Sequence, residues 1–138
     1  MQQSDVTSQA PLDQVKGEEC ERIDRAAGIA RSRFVSPGAL IEEEYRQARA
    51  SVERWRLAGS SATDIPPEIQ SGADYSGISP EEAAQEIERT ATGYATAMAY
   101  IREVRLAGKR AVQLAETPSA VAQARARTIA ALKDTALG

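Results

Sequence analysis

Two features of this sequence have residue types that could perform chemistry: the acidic run Glu42-Glu43-Glu44 and the single thiol of Cys20. Carboxylates can bind a divalent cation or transfer protons, and a deprotonated thiol is a nucleophile. Zinc-ligand sets and Ser-His or Cys-His pairs need histidine or further cysteines, but the chain has no histidine and one cysteine. The sequence therefore lacks the residues for most familiar catalytic sites and for a disulfide framework.

The elements that would position these groups favour a structural role for both. The three glutamates open a predicted helix that ends with Arg54 and Arg56, so the charges match the helix dipole. They could imitate a metal site, but no second acidic cluster has a matching spacing. Cys20 lies on the apolar face of its predicted helix, which favours a buried thiol over a reactive one. We predict no catalytic, cofactor-binding or metal-binding residues. An enzyme would need Glu, Asp, Lys or Tyr for acid-base work, and no paired set of them is visible.

The stretch from Ser79 to Glu116 carries the longest helix signal in the chain. Ser79-Pro80 begins it with an N-cap hydroxyl followed by a proline, and Glu82 is placed to complete a capping box. One apolar stripe follows at alternating steps of four and three: Ile87, Ala91, Tyr94, Met98 and Ile101. At about 1.5 Å per residue this helix would be roughly 55 Å long, more than a compact domain of this size needs. The pattern predicts a rod that binds other proteins.

Three further helices are predicted from the same periodicity. The first starts near Pro11 to Asp13 and ends about Phe34, and the second runs from about Pro37 to Ala58, with Gly59 as its stop. The last starts at Thr117-Pro118 and runs to about Leu137. Its apolar stripe is weak, so it could fold back on the third helix or project toward another subunit.

The remaining segments are polar. Residues 1–12 are predicted to form an N-terminal arm ahead of a helical domain at 13–138, and we expect such an arm to be ordered only when something holds it. Residues 60–77 are predicted to form a long connection, in which Pro66-Pro67 could start a short helix. Ile65, Ile69 and Tyr75 would cover one end of the helical core, although a binding loop is the alternative.

Composition supports an all-α fold. Hydrophobic residues make up 42% of the 138 and aromatic residues only 4%, so the core must come mainly from Ala, Ile, Leu and Val on closely approaching helices. We predict elongated antiparallel helical hairpins or a small bundle, with one long central helix. No apolar run reaches the ~20 residues of a membrane span, and no signal peptide is visible. We therefore expect the protein to stay in the cytoplasm, without membrane partners.

The apolar stripes of the predicted helices, here called seams, are our candidate partner interface. A lone copy would not fully hide their apolar residues, so we expect a homo-oligomer or a hetero-assembly. Arg105 stands at a seam position of the long helix, with Gly108 at the next. A polar residue there can set register or partner choice, or the stripe can drift toward Val104, Leu106 and Val112. The candidate interface residues are Tyr45, Trp55, Tyr94, Met98, Ile101 and Arg105.

Charge is distributed unevenly along the chain. Residues 100–138 carry seven Lys and Arg against three Asp and Glu, a net +4, which leaves −7 on the remainder because the whole chain carries −3. The two parts could pair within an oligomer, or the basic helices could bind nucleic acid. Nucleic-acid binding is the alternative function, although no recognisable motif accompanies the charge.

From Glu21 onward the helix-forming segments carry recurring aromatic and glycine positions. These are residues 23–34 (IDRAAGIARSRF), Tyr45, Ala48, Trp55, residues 77–80 (GISP), Ala83, Ala84, Ile87, Tyr94, residues 101–112 (IREVRLAGKRAV), Thr117 and Val121. In these positions the sequence resembles a small helical domain of tail-module proteins, associated with the fibre or baseplate, of tailed bacteriophages and prophages. The polar first twenty residues depart from that pattern, so no role for them is carried over.

The resemblance implies a noncatalytic structural or assembly protein that binds tail fibre or baseplate proteins, either as a permanent subunit or as a chaperone that departs. It implies a place in the virion tail, or in the host cytoplasm during assembly. It implies neither catalytic residues nor cofactors.

Overall fold

The computed structural model describes residues 2–34 and 41–135, with side-chain surroundings for 11–34 and 42–135. Within these residues all regular structure is helical and no strand occurs, which confirms the all-α prediction. The five helices are α1 (Gln2–Ser32), α2 (Ile41–Leu57), α3 (Pro67–Ser76), α4 (Pro80–Leu114) and α5 (Pro118–Thr135).

Local capping explains where these helices begin and end. The Ser79 hydroxyl accepts from the Glu82 amide at 3.1 Å at the start of α4, and the Thr117 hydroxyl accepts from the Ala120 amide at 3.1 Å at the start of α5. Both helices then start on a proline, whose missing N–H needs no partner in the first turn. Helices α2 and α3 are followed by Gly59 and Gly77 at φ 93° and 68°, the left-handed conformation that suits glycine.

The structure moves one helix boundary from its predicted place. Helix α1 begins at Gln2 instead of near Pro11, because a helix that has formed extends at little cost through polar residues. Pro11 lies inside it and supplies no amide hydrogen for the usual backbone bond. The predicted start of α2 near Pro37 lies outside the described residues, as does the chain break at residues 35–38. The domain boundary predicted at residue 12 stays a prediction.

The chain divides into two compact units. The first, here the terminal unit, comprises Met1–Phe34 and Ala97–Gly138; the second, the middle unit, comprises Val35–Thr96. Helix α4 supplies residues to both units.

The terminal unit is a three-helix arrangement of α1, the C-terminal half of α4, and α5. Contacts from α1 set the directions: Lys16 Nζ donates to the Gln113 carbonyl at 2.8 Å, and Arg33 Nη1 to the Lys133 carbonyl at 3.5 Å. Asp24 contacts Arg105, so α1 runs antiparallel to α4. Glu19 contacts Arg125, so α1 runs parallel to α5. The buried core comes from all three helices and consists of Ile23, Ala27, Ala30, Ile101, Val112, Val121, Ala124 and Leu132.

The middle unit packs α2, α3 and the start of α4 around a separate core. Its buried residues are Val52, Trp55, Ile69, Ala73, Ala83 and Ala84, with Ile65, Ile78 and Ile87 packed against them. The predicted connection at residues 60–77 therefore contains a helix, and Ile69 fills the core as expected. Tyr75 does not cover the core, since its side chain is exposed on the last turn of α3.

The last helix folds back onto the chain, which the sequence left open. Gly108 of α4 is buried against Thr128 of α5, and a Cβ atom at position 108 would overlap the Oγ1, Cγ2 and Cβ atoms of Thr128. The Thr128 hydroxyl donates to the Ala124 carbonyl at 2.7 Å within α5, so its polar atom is satisfied in this close contact. A side chain any larger than hydrogen at 108 would push the two helices apart.

We predict that Gly108→Ala destabilises the protein even though alanine is the better helix former. The overlap involves the Cβ of Thr128 as well as its outer atoms, so the backbones must move, at a cost of about 1–3 kcal/mol. The matched control is Gly17→Ala, because Gly17 lies exposed on α1 with open space around its Cβ position, and it should gain up to about 1 kcal/mol. Urea unfolding of both variants measures the difference. Equal stability changes would contradict the close-contact argument.

Candidate interaction surface

Two predicted interface residues lie inside the cores. Ile101 is fully buried in the terminal unit, and Trp55 is buried in the middle unit. Trp55 also donates its Nε1–H to the Ser61 carbonyl at 3.0 Å, and the Arg56 guanidinium lies over its ring at 5.4 Å from the centroid. Both side chains therefore stabilise the chain itself. As partner contacts they stay predictions.

The other predicted interface residues are more accessible. Tyr45 is exposed on α2, while Tyr94 and Met98 are half-buried on α4. Met98 packs against the core of the terminal unit. The α4 stripe that dominated the sequence is thus largely turned to the chain's own helices. Large exposed apolar side chains lie instead on another side of α4 and on other helices.

Arg105, the polar residue of the predicted seam, is explained by an ion-pair cluster. Its Nη1 donates to Asp24 Oδ1 at 3.1 Å, and Lys109 Nζ donates to Asp24 Oδ2 at 3.0 Å. One aspartate of α1 therefore joins two consecutive turns of α4. Because both carboxylate oxygens are used, the cluster fixes the register of these two antiparallel helices.

The cluster changes the acidity of its carboxyl group. Partial burial acts to raise the pKa of Asp24, but the hydrogen bonds and positive charges of Lys109 and Arg105 outweigh it and the pKa is lowered. Asp24 therefore stays ionised and paired to more acidic pH than an isolated aspartate would.

Cys20 lies half-buried near this cluster. Burial raises the pKa of its thiol; Lys109 opposes that effect and Asp24 adds to it. A raised pKa keeps the thiol protonated near neutral pH, when it is a poor nucleophile and a poor metal ligand. This agrees with the interpretation of Cys20 as a structural thiol.

A second charged cluster joins α2 to α4 within the middle unit. Arg56 Nη1 donates to both carboxylate oxygens of Glu81, at 2.8 and 2.6 Å, and Nη2 donates to Glu88 Oε1 at 2.7 Å. These bonds lower the pKa of Glu81 and raise that of Arg56. The planar guanidinium suits this forked contact, which a lysine could not reproduce.

Several basic residues of the C-terminal helices are already paired with acids of α1. Arg105 and Lys109 contact Asp24, and Arg125 Nε lies 2.7 Å from Glu19 Oε2, as an ion pair without the angle of a good hydrogen bond. Acidic and basic residues therefore pair within the terminal unit itself, and their pairing within an oligomer stays a prediction. Fewer positive charges remain for phosphate contacts, which weakens the nucleic-acid alternative.

Several large apolar side chains stay exposed, and sequence analysis placed only Tyr45 among them in the candidate interface. One row on α4 follows a seven-residue spacing from Tyr100 through Ala107 to Leu114. This second stripe is visible in the sequence. It was not identified because the stripe through Tyr94, Met98 and Ile101 is the stronger one. The exposed large hydrophobic residues are Ile29, Tyr45, Leu57, Tyr75, Tyr100, Leu106 and Leu114.

The described side chains bring together no group of three His, Cys, Asp or Glu that could hold a metal ion. Glu42, Glu43 and Glu44 lie exposed in the first turn of α2, where Glu43 pairs with Arg46 at 2.8 Å. Over the described part of the chain, no helix is long and apolar enough to cross a membrane.

Comparisons of the chain with protein-family models, with curated proteins and with solved structures find no match.

We predict that Asp24→Asn lowers stability at neutral pH, because it leaves Arg105 and Lys109 without their carboxylate. The loss should be below about 1 kcal/mol, since the Asp24 side chain is partly exposed to solvent. The folded-state pKa of Asp24 is depressed, so its stabilisation is present above the ordinary aspartate pKa of about 3.9 and disappears as pH falls through the lower folded value.

Urea unfolding of wild type and variant between pH 7 and pH 2 measures this difference. The two curves should converge at the acid end. Asp13→Asn serves as the control, because Asp13 is exposed on the same helix and pairs with none of the described residues. A stability gap that stays constant with pH would show that the ion pairs do not cause it.

Proposed function

We propose that this chain is a noncatalytic tail-module protein of a tailed bacteriophage or prophage, which binds a tail fibre or baseplate component during assembly or in the virion. The observation that carries the proposal is the exposure of Leu57 and Tyr75, at 89% and 94%, beside a closed core. The resemblance of residues 21 onward to helical tail-module domains supplies the identity of the partner.

Neither of these two side chains contributes to the core of the middle unit. Its core is already filled by Trp55, Ile69 and the residues around them. Tyr75 lies on the last turn of α3 and Leu57 is the last residue of α2, and Tyr45 adds a third exposed large hydrophobic side chain, on α2. Tyrosine is among the residues that contribute most to protein interfaces, because its large ring loses little conformational entropy on binding. Exposed apolar side chains of this size support a partner-binding role.

The charge pattern supports a protein partner better than a nucleic acid. Three of the seven basic residues between positions 100 and 138 are paired with Asp24 or Glu19. A gel-shift assay at low salt separates the alternatives, since phosphate contacts would give binding that falls steeply with added salt.

We predict that the double change Leu57→Ser and Tyr75→Ser weakens capture of the tail component at least roughly tenfold, because two interface anchors are lost. Folding should be unaffected within about 0.5 kcal/mol, since both side chains are exposed. The measurement is capture by the tagged full chain from a lysate in which the phage tail assembles, with the captured protein identified by mass spectrometry.

The matched control is Gln47→Ser with Asp64→Ser, two exposed polar positions of the same unit. Capture of a fibre or baseplate protein that is lost in the first variant and kept in the control supports the proposal. Absence of any tail protein among the captured material contradicts it.

Mass spectrometry of purified virions distinguishes the two forms of the proposed role. A permanent subunit stays in the mature particle. An assembly chaperone is found with tail intermediates in the host cytoplasm and is missing from the particle.

A further inference from the structure

A row of exposed residues on α4 has an arrangement of side chains that complements itself. Tyr100, Glu103, Ala107, Arg110 and Leu114 follow steps of three, four, three and four, so they share one face of the helix. All five are exposed, with Tyr100 at 46% and Leu114 at 62%. The row lies within the terminal unit and on a different side of α4 from the buried Ile101 and Val112.

The order of residue types along this face is symmetric about Ala107. Apolar Tyr100 and Leu114 lie seven residues before and after it, while Glu103 and Arg110 lie four before and three after. When two copies of such a face meet around a two-fold axis, position i of one contacts position j of the other and j contacts i. An axis at Ala107 therefore places Tyr100 against Leu114 and Glu103 against Arg110 of the second copy, twice.

The charges of this face have no partner within the described chain. Neither Glu103 nor Arg110 makes an ion pair with any described residue, and neither has a charged neighbour three or four positions away on α4. Other charged residues that join helices in this protein, such as Asp24 and Arg56, are paired. The small side chain of Ala107 allows two helices to approach closely at the centre.

We propose that this face of α4 is the contact surface for a second copy of the same chain, which binds antiparallel around a two-fold axis at Ala107. The exposed Leu106, at 41%, lies beside the row and extends its apolar area. One helix face is a small interface, so the dimer is weak and depends on concentration. The proposal does not rest on the tail-module function, which uses the middle unit.

A charge-reversal set tests the pairing in the full-length chain. Sedimentation equilibrium from roughly 10 µM to 1 mM covers the range of a small interface. Glu103→Arg turns both attractive contacts of the homodimer into repulsive ones, as does Arg110→Glu, so each alone should weaken dimerisation at least roughly tenfold. The double variant restores opposite charges across the axis and should dimerise again.

A mixture of the two single-reversal variants gives the most specific test of the pairing. Glu103→Arg carries two positive charges on the face and Arg110→Glu carries two negative charges, so an equimolar mixture should form a heterodimer although neither variant forms a homodimer. Arg102→Glu is the control: it makes the same charge change as Arg110→Glu on exposed α4 surface away from the row, and its dimerisation should equal that of wild type. Circular dichroism and thermal unfolding check that each variant is folded.

A second measurement tests the position of the axis without changing charge. Ala107→Cys in a Cys20→Ser background places one thiol per chain at the proposed centre, and oxidised glutathione should link two chains through it. Ala122→Cys in the same background, exposed on α5, should link far more slowly.

Dimerisation that the single reversals remove and the mixture restores supports the proposal. A wild-type chain that stays monomeric at every concentration overturns it. A dimer whose dissociation constant is unchanged by the single charge reversals also overturns it, because a different surface then forms the contact. Both results leave the proposed tail binding untouched, since Leu57 and Tyr75 belong to the other unit.

Discussion

The close approach of α5 to α4 at Gly108 is the contact on which the terminal unit depends. With few aromatic residues and many alanines, this chain can fill its interior only if the helices come close together. Gly108 has no side chain that would hold α5 away, so Thr128 can occupy this space. The Thr128 hydroxyl donates to the Ala124 carbonyl within α5. The buried Val121, Ala124 and Leu132 of α5 can then reach the core side chains of α1 and α4. Without that contact α5 would keep its contacts with α1 but could not pack closely against α4.

Polar contacts around each core specify how the helices are aligned. Alanine-rich faces are smooth, so apolar packing alone distinguishes poorly between neighbouring registers. In the terminal unit Asp24 holds Arg105 and Lys109 across two helices, and in the middle unit Arg56 holds Glu81 and Glu88. Partly exposed ion pairs contribute little to stability, but each holds its charges in a single arrangement. Their main effect is therefore on specificity of packing.

The surfaces that remain after packing are of two kinds, and they suggest two separate contacts. The middle unit leaves Leu57 and Tyr75 almost fully exposed, which suits a partner that brings its own apolar pocket. The terminal unit leaves a face of α4 on which apolar and opposite charged residues alternate symmetrically, which suits a second copy of the chain. With both proposed contacts, the chain would bind one like and one unlike subunit through separate surfaces.

Local signals in the sequence were sufficient for much of this structure. The caps at Ser79 and Thr117 and the stop at Gly59 mark helix ends correctly because capping depends on residues within one turn. The stripe through Met98 and Ile101 identifies a buried side of α4 because burial repeats with the helical period. The all-α class follows from the same periodicity and from the shortage of aromatic residues.

Tertiary structure alone decided which neighbour covers each face. Nothing near Arg105 in sequence reveals that Asp24, on another helix, is its partner, and nothing near Gly108 reveals Thr128. Periodicity shows that a helix has an apolar side, but it does not show whether the covering helix comes from the same chain. Trp55 and Ile101 were therefore candidates for an external interface, whereas packing places them inside, and only the structure shows that the row from Tyr100 to Leu114 is exposed. The physical reason is that burial depends on contacts between residues far apart in sequence, while helix formation depends on residues within a few turns.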